Sequence, residues 1–566
     1  MKKLIIIIIT IIGSCLSCND KILEISPKDR ISDAAVWNDV NLIKAYLASV
    51  YNGIPHGFYI HMLSKYTDEA YNCAPCCCAD LFVYNTYTAD NITSMGGTPG
   101  DGNWCSNYLY YWDMGYKYIR KANVFLEKMA ESELEFDEKA QLMAESKFLR
   151  AFMYFLLIER FGGVPILDKS YNMSDSVVLK RNTFDECVAF IEKDLDEAMS
   201  DLPEYYSSTD ENFGRATQDA CRALLSRTLL YAASPLFNPT NDQTKWEKAA
   251  DAAEALIGSA NYELYPDYRD LFTTLSGEEN KELIFTREFS TTNFHQAPMN
   301  NLSRRYGSYG GWWASNGPSQ NIVDDYDMTN GEPAFIYPGG VKTVNPASGY
   351  DPDHPYWNRD PRFDATIIHD SSVYHGDLFE MWVASDNNSW GYDSYKESGD
   401  NPRTGYVWKK FMPKEDIPLN WQYEYTNPWI YFRLGEIYLN YAEAKFELGD
   451  EATCRQYINF IRARAGMPDL PPTVSGEDLR DRLYNERRIE LALEAHRFFD
   501  IRRWEIAMDI ENRPIQGMDI IKDVNTGVKT YTPIQLLVRT FEEQMHLLPI
   551  ATDEIKKSGL EQNPGW

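Results

Sequence analysis

The sequence predicts a mostly α-helical protein, in which tetratricopeptide-like helix pairs support a large loop-rich region with a few short strands. Two observations predict this class. Apolar residues recur at helical spacing in several long segments, and short turns join these segments into pairs of about 30 to 40 residues. Residues 290–425 differ, because they are rich in Gly, Pro, Asn, Asp, Trp and Tyr. Their aromatic content argues against disorder, so this long irregular segment predicts a functional surface.

Five helices are predicted in the first half of the chain. The clearest is Glu138–Phe161, where Leu149 and Leu156 lie near helical spacing before Gly162 and Gly163 end the segment. The others are Asp113–Met129, Thr183–Leu202, Thr217–Ala233 and Trp246–Ile257.

The last third of the chain predicts another helix pair, and the middle predicts short strands. Leu434–Leu448 and Ala452–Ala465 carry apolar stripes on either side of a Gly-Asp turn. Glu282–Arg287 and Tyr406–Phe411 are the strand candidates. Four aromatic residues on periodic segments are predicted to be core, namely Trp246, Trp408, Trp504 and Tyr441.

The N-terminus, MKKLIIIIITIIGSCLSCND, has the pattern of an export signal. Its apolar run is too short for a membrane-spanning helix, which needs about 20 residues. Cysteines follow the run, as in a bacterial lipobox, and Cys18 is the predicted acylated residue. Cys15 also fits a lipobox, and an ordinary secretory signal is the remaining alternative. Several acyl chains would anchor the protein to a membrane surface.

The composition excludes nucleic acid as a partner. The net charge is −29, whereas phosphate binding needs clusters of Lys and Arg. No second long apolar run follows the signal, so the remainder of the chain is predicted to be soluble.

Eight stretches carry a resemblance to a known family. They occur in this order: LRAFMYFLLIERFGGVPIL (149–167), GRATQDACRALLSRTLLYAASPLFN (214–238), NRDPRF (358–363), RLGEIYLNYAEA (433–444), IRARAG (461–466), NERRIELALEAHRFFDIRRW (485–504), LPI (548–550) and QNPGW (562–566). Together they resemble the SusD-like (RagB/SusD) family of outer-membrane glycan-binding lipoproteins of Bacteroidetes.

The resemblance implies a SusD-like fold and a non-catalytic role. It implies a surface-exposed lipoprotein that binds oligosaccharides or polysaccharides and passes them to a SusC-like, TonB-dependent transporter in the outer membrane. The predicted organisation is a signal peptide over 1–17 and a single domain over 18–566. Within that domain the helical scaffold covers about 38–285 and 430–510, and a variable ligand face covers about 56–112 and 290–425.

Aromatic rings in polar, Gly- and Asn-containing loops are the candidate ligand contacts. A pyranose has a rather apolar C–H face that flat rings match, and its hydroxyls suit polar side chains. The alternative is that such rings pack beneath their own loops. The predicted contacts are Asn103, Trp104, Tyr306, Tyr309, Trp312, Trp313, Trp390 and Tyr392.

Catalytic and metal-binding motifs give little support to an enzyme. The chain has no G-x-S-x-G elbow, P-loop or H-E-x-x-H motif. A secreted glycoside hydrolase or lyase is kept as one alternative, and a binder of peptides or other nutrients in the same role as another. No cofactor is predicted, although the acidic run Asp324-Asp325 and Asp327 has oxygen ligands of the kind that calcium takes.

Two further clusters of chemistry-bearing residues are interpreted as structural. Glu486, Glu490 and Glu494 repeat every four residues, and like charges at this spacing repel, so they need cations. Nearby arginines are the expected partners, namely Arg487, Arg488, Arg497, Arg502 and Arg503. His354 and His369, with His375, match no zinc spacing and are predicted to be dispersed surface residues.

The stretch NCAPCCCAD holds four cysteines, Cys73, Cys76, Cys77 and Cys78, a cluster not associated with the resembled family. Outside the cytoplasm disulfides are permitted, and Cys105 is the expected partner for one of the four. Free thiols in a packed loop, or a metal or redox site, are the alternatives. The other three cysteines, Cys187, Cys221 and Cys454, lie on predicted helices and are expected to be buried free thiols.

Overall fold

The computed structural model describes residues 33–59, 61–73, 79–95, 109–171, 179–309, 314–419 and 423–566. Its helices are α1 Asp33–Val36, α2 Val40–Tyr51, α3 Ala79–Val83, α4 Trp112–Glu131, α5 Lys139–Phe161, α6 Phe184–Met199, α7 Gln218–Ala233, α8 Gln243–Ile257, α9 Tyr268–Leu271, α10 Ala297–Asn301, α11 Gln320–Asp325, α12 Pro361–Thr366, α13 Leu434–Glu447, α14 Glu451–Arg464, α15 Glu477–Glu490, α16 Arg497–Arg503, α17 Ala507–Glu511 and α18 Thr552–Ser558.

The strands are short and lie mainly in the middle of the chain. They are β1 Ala70–Asn72, β2 Leu283–Arg287, β3 Asn316–Pro318, β4 Phe335–Ile336, β5 Thr343–Val344, β6 Ile367–His369, β7 Val373–Tyr374, β8 Asp377–Leu378, β9 Val383–Ala384, β10 Tyr406–Trp408, β11 Trp429–Arg433, β12 Ile515–Lys522 and β13 Lys529–Leu537. The antiparallel pairs are β1–β3, β2–β11, β4–β5, β6–β10, β7–β8 and β12–β13, and β9 pairs parallel to β12.

The long helices form a continuous array, as the sequence predicts. Each of α4 to α7 packs on the next helix, and α8 also packs on α13, which packs on α14. Helices from the first half of the chain therefore pack directly on helices from the last third, and the loop-rich middle does not separate them. Each predicted long helix is found within a few residues of its predicted ends. None of the helices in the described ranges is both long enough and apolar enough to cross a bilayer.

The core of the array surrounds α5, which is buried along nearly its whole C-terminal half. Neighbouring helices cover its sides, and the β2–β11 pair covers another face. Phe148 contacts Phe285 with ring centroids 5.1 Å apart, and Phe152 contacts Tyr431 at 5.6 Å. The four aromatic residues predicted as core are all buried: Trp246, Trp408, Trp504 and Tyr441.

The loop-rich middle has a core of its own. Its buried members include Ile322, Phe363, Trp408 and Met518. The last of these lies on β12, in the hairpin of the two longest strands, which the sequence reasoning did not predict. The irregular middle is therefore a packed body with loops at its surface.

Ion pairs connect the two cores through the row of glutamates on and just after α15. We call Glu486, Glu490 and Glu494, with their cations, the central ion-pair network. The cations are Arg362 and Arg462 at Glu486; Arg362, Arg433 and Arg464 at Glu490; and Arg433 and Lys410 at Glu494. The predicted structural role is confirmed.

The predicted choice of cations was wrong. Arg487 donates to Asp500 at 2.9 Å, and Arg488 and Arg497 both pair with Asp68. Residues adjacent on a helix point about 100° apart, so an arginine one position from a glutamate faces away from it. The cations that neutralise the row come instead from segments that pack against its face.

Candidate functional site

Two of the predicted aromatic segments meet at one surface of the loop-rich body. Arg304–Tyr309 is a short 3₁₀ helix, and Trp390 with Tyr392 follows a tight turn between residues 384 and 389. Asn387 in that turn has φ of 56°, a left-handed conformation that asparagine tolerates. We call Arg304, Arg305, Trp390, Tyr392 and Glu397 the loop face.

Glu397 joins the two segments of the loop face. Its carboxylate accepts a hydrogen bond from the Trp390 indole Nε1 at 2.9 Å and another from the Arg304 guanidinium at 2.7 Å. These hydrogen bonds, chiefly the one from the Trp390 indole, hold the pKa of Glu397 below its usual range. The Trp390 ring is therefore held by its edge, and its faces are left for other contacts.

Arg305 holds the second ring. Its Nε and Nη2 atoms donate to the two carboxylate oxygens of Asp393 at 2.9 and 2.6 Å, and Nη2 also donates to the Leu378 carbonyl at 3.1 Å. Its guanidinium lies 4.8 Å from the centroid of the Tyr392 ring. The hydrogen bonds to Asp393 raise the pKa of Arg305. A planar, two-point ion pair of this kind fixes the geometry of the surface around Tyr392.

The exposure of the predicted residues differs. Trp390 is 38% exposed and Tyr392 is 46% exposed, so both present ring surface to solvent. Tyr306 is only 6% exposed; its hydroxyl donates to the Tyr374 carbonyl at 3.1 Å, and its ring packs edge-on to the Tyr374 ring. Tyr306 thus lies beneath the surface and supports the β7–β8 hairpin. For this residue the alternative is correct, namely that a loop aromatic ring packs beneath the surface instead of contacting ligand.

The other predicted contacts fall outside what the structure describes. They are Asn103, Trp104, Trp312, Trp313 and the side chain of Tyr309, and they stay predictions. The lipidation residue Cys18 is likewise outside the described ranges.

Cys73, the first cysteine of the cluster, lies next to Ser315. β1 pairs with β3, and the Cys73 amide donates to the Ser315 carbonyl at 3.2 Å. Cys73 is a buried free thiol whose pKa burial raises, and its sulfur lies against Gly317. A disulfide of Cys105 with Cys76, Cys77 or Cys78 stays a prediction, because those residues are outside the described ranges.

The three helical cysteines are buried free thiols, as predicted. Burial raises the pKa of Cys187 to about 11 and that of Cys454 to about 12, and it also raises the pKa of Cys221. A thiol in this state is a weak nucleophile and a poor metal ligand. These cysteines therefore act as small apolar core residues.

The acidic run considered for calcium is already neutralised by side-chain cations. Asp324 pairs with Lys342, Asp325 with Arg488, and Asp327 with Arg462 and Arg482. Among the residues that the structure describes, no three His, Cys, Asp or Glu side chains are grouped so that they could hold a metal ion.

The prediction of dispersed surface histidines was wrong for two of the three, because His354 and His369 line the same cavity. His369 is buried, and its ring bonds the Asp370 carbonyl and the Asp364 carboxylate. His354 stacks on Trp357.

Sequence reasoning missed the residues that hold the rings. The two arginines were visible in RRYGSY, beside the aromatic residues that drew attention. Glu397 and Asp393 carry no such signal, because acidic residues are frequent throughout this chain and their pairing depends on how the loops fold.

Comparison with known proteins gives consistent matches along the chain. The model of the SusD family matches residues 281–566, and a model described as "Starch-binding associating with outer membrane" matches residues 24–230. The starch-binding protein SusD of Bacteroides thetaiotaomicron is 28% identical over 434 residues, which are 73% of this chain and 72% of that protein.

Solved structures match over nearly the whole length. The crystal structure of a SusD-like protein from Bacteroides fragilis has a TM-score of 0.75 at 29% identity and covers 96% of this chain and 100% of its own. A SusD-like carbohydrate binding protein from the same species has a TM-score of 0.73 at 25% identity, over 92% and 98% of the two chains. These matches confirm the mostly helical fold.

Proposed function

Because the chain belongs to the SusD family of non-catalytic binding proteins, as the resemblance of its motifs indicated, we propose that it is a glycan-capture lipoprotein of the cell surface. In this role it binds oligosaccharides or polysaccharides and delivers them to a SusC-like, TonB-dependent transporter. Acyl chains on Cys18 hold it in the outer membrane, the compartment that the description of one matching family model names.

The observation that carries the proposal is the loop face. It presents two partly exposed rings, Trp390 and Tyr392, each held in place by a charged side chain. Rings whose orientation is set before binding lose little conformational entropy when a ligand stacks on them. Exposed Arg304 offers hydrogen-bond donors beside the rings for the hydroxyls of a sugar.

The names of two relatives support a saccharide as the ligand. One is called a starch-binding protein and the other a carbohydrate binding protein. Individual hydrogen bonds to sugar hydroxyls contribute only about 0.5–1.5 kcal/mol, since the same hydroxyls also bond well to water. We therefore expect modest affinity for a short oligosaccharide, and capture that depends on the nearby transporter.

The test is retention of the purified protein in native gels that contain soluble starch or laminarin. We expect at least one of these polysaccharides to retard the wild type. Replacing both rings, Trp390→Ala with Tyr392→Ala, should raise the apparent dissociation constant roughly thirtyfold, because two lost stacking contacts at about 1 kcal/mol each cost about 2 kcal/mol together.

The matched control keeps the rings, as Trp390→Phe with Tyr392→Phe, and should retain most of the affinity. Equal retention of the alanine and phenylalanine variants would contradict the assignment of the loop face. Release of sugar products during incubation would support an enzyme instead. Retention of casein-derived peptides, with no retention of either polysaccharide, would favour a peptide binder.

A further inference from the structure

A second concave surface lies beside the NRDPRF stretch, away from the rings of the loop face. It is a cavity of about 530 Å³, within the range of about 300–1,000 Å³ that is usual for small-ligand sites. We call it the Trp357 cavity. The residues that line it include His354, Trp357, Asp364, Lys409, Val373 and Tyr531.

Trp357 provides an open aromatic platform. It is 62% exposed, although His354 covers one of its faces with ring centroids 3.8 Å apart and planes 4° from parallel. The remaining exposure belongs to the other face and the ring edges. One face of the indole is therefore supported and the opposite face is free for a ligand.

The platform stands on a pinned turn. The Trp357 amide donates to the His354 carbonyl at 3.1 Å. Beneath the turn, the buried Arg359 guanidinium donates to the Pro355 carbonyl at 3.0 Å and to the Tyr326 carbonyl at 2.7 Å. The ring is thus held by the loop-rich core, and stacking on it needs no reordering of the turn.

Polar groups of both kinds line the cavity beside the ring. The mostly exposed Asp364 carboxylate uses one oxygen to bond the His369 ring at 3.0 Å. Within the described part of the chain, the Lys409 ammonium makes no hydrogen bond or ion pair. Tyr531, whose hydroxyl donates to Asp370 at 3.2 Å, lines the same cavity. An acceptor and a free donor near one ring suit vicinal hydroxyls, which donate and accept at once.

We propose that the Trp357 cavity is a second saccharide-binding site, which takes a neutral pyranose unit of the same glycan by stacking on Trp357 and hydrogen bonding to Asp364 and Lys409. This inference rests on the proposed function. It adds a second point of contact, separate from the loop face.

The β7–β8 hairpin contributes to both sites. Val373 of β7 lines the Trp357 cavity, while the carbonyl of the next residue, Tyr374, accepts the hydrogen bond from Tyr306, and the Leu378 carbonyl of β8 accepts that from Arg305. A polysaccharide can therefore use both sites where a short oligosaccharide uses one. Two weak contacts on one chain multiply its apparent affinity.

The experiment compares four proteins in gels that contain soluble starch or laminarin. They are the wild type, Trp357→Ala, the loop-face double alanine variant, and the combination of all three substitutions. We expect Trp357→Ala to raise the apparent dissociation constant for the retarding polysaccharide at least roughly fivefold, through loss of the second contact. The combined variant should show no retention.

Two controls make the result specific. Trp357→Phe keeps a ring and should retain most of the affinity, and Phe460→Ala removes an exposed ring from α14, far in sequence from both sites, and should change nothing. Retardation of Trp357→Ala equal to that of the wild type overturns the second site and leaves the proposed function standing. A wild type that neither polysaccharide retards overturns both.

Discussion

Glu490 accepts ion pairs from arginines in three separate parts of the chain. Arg433 lies 2.7 Å and Arg362 3.1 Å from its carboxylate oxygens, and Arg464 makes the third contact. Burial alone would raise the pKa of Glu490, but the three guanidinium groups together lower it well below its usual range. The charge on this carboxylate is therefore required by its surroundings.

Glu490→Gln should destabilise the protein strongly at neutral pH. It leaves three buried guanidinium groups short of one negative charge, and breaking a buried pair in this way costs about 3–5 kcal/mol. Because the folded pKa is depressed, the contribution is present above the usual carboxyl pKa of about 4.3 and is lost as the pH falls below it. Urea unfolding at pH 7 and at pH 4 and below measures both effects.

The control for Glu490→Gln is Glu131→Gln, which removes an exposed partner of Lys128. Surface pairs contribute about 0–1 kcal/mol, so this variant should unfold close to the wild type. A loss for Glu490→Gln no larger than that of the control would contradict the role of the central ion-pair network.

At the scale of the element, the helix starts follow local chemistry. α7 begins after Thr217, whose hydroxyl accepts a hydrogen bond from the Ala220 amide at 3.0 Å. This is the N-cap arrangement that a Thr before an apolar periodic segment predicts. The boundary could be read from the sequence because every atom involved lies within four residues.

Thr217→Ala should cost about 1 kcal/mol of unfolding free energy, with an upper range of about 2 kcal/mol, because it leaves the first-turn amide of α7 without its acceptor. Thr217→Ser retains the hydroxyl and should recover most of the loss. Thermal unfolding of the three proteins under one condition measures the difference. An alanine variant as stable as the wild type would show that the cap contributes nothing here.

The hairpin of β12 and β13 shows where sequence reasoning stops. Strand β13 has the sequence KTYTPIQLL. It carries polar residues on both faces and a proline, and both features weaken the alternating signal of a strand. Its partner β12 buries Met518 and Ile520 against the loop-rich core, and Ile515 against the core of the helical array. The pairing depends on that core, which only the folded chain provides.

The candidate site could be predicted only in part. The segments that carry Trp390, Tyr392 and Tyr306 were visible from their composition, but the burial of Tyr306 follows from its contact with Tyr374, which is 68 residues away in sequence. Trp357 was passed over, because no glycine-rich loop surrounds it and its exposure arises from a turn pinned by Arg359.

At the scale of the whole molecule, the buried charges are largely paired with one another. The net charge is −29, and many arginines are buried in ion pairs, among them Arg362, Arg433, Arg487 and Arg503. Buried carboxylates match these arginines, so the net negative charge of the chain is carried mainly by the outer surface. Such a surface disfavours polyanions and leaves neutral saccharides unaffected.

Retention by a neutral polysaccharide should be nearly independent of salt. Between about 50 and 500 mM NaCl we expect less than a twofold change in the apparent dissociation constant for starch or laminarin, because stacking and neutral hydrogen bonds are not screened. Heparin, a polyanion, should not be retained at the low salt concentration. A steep fall in starch or laminarin retention with salt would indicate that charge attraction, rather than stacking, holds the ligand.

The central ion-pair network also has a kinetic consequence. Arg433 contacts both Glu282 and Glu490, so one side chain joins residues that are separated by more than a third of the chain. Closing contacts across such long loops is slow, and it follows the formation of local helices. We therefore expect the helical array to fold early. The two cores should pack against each other late, when the ion pairs between them form.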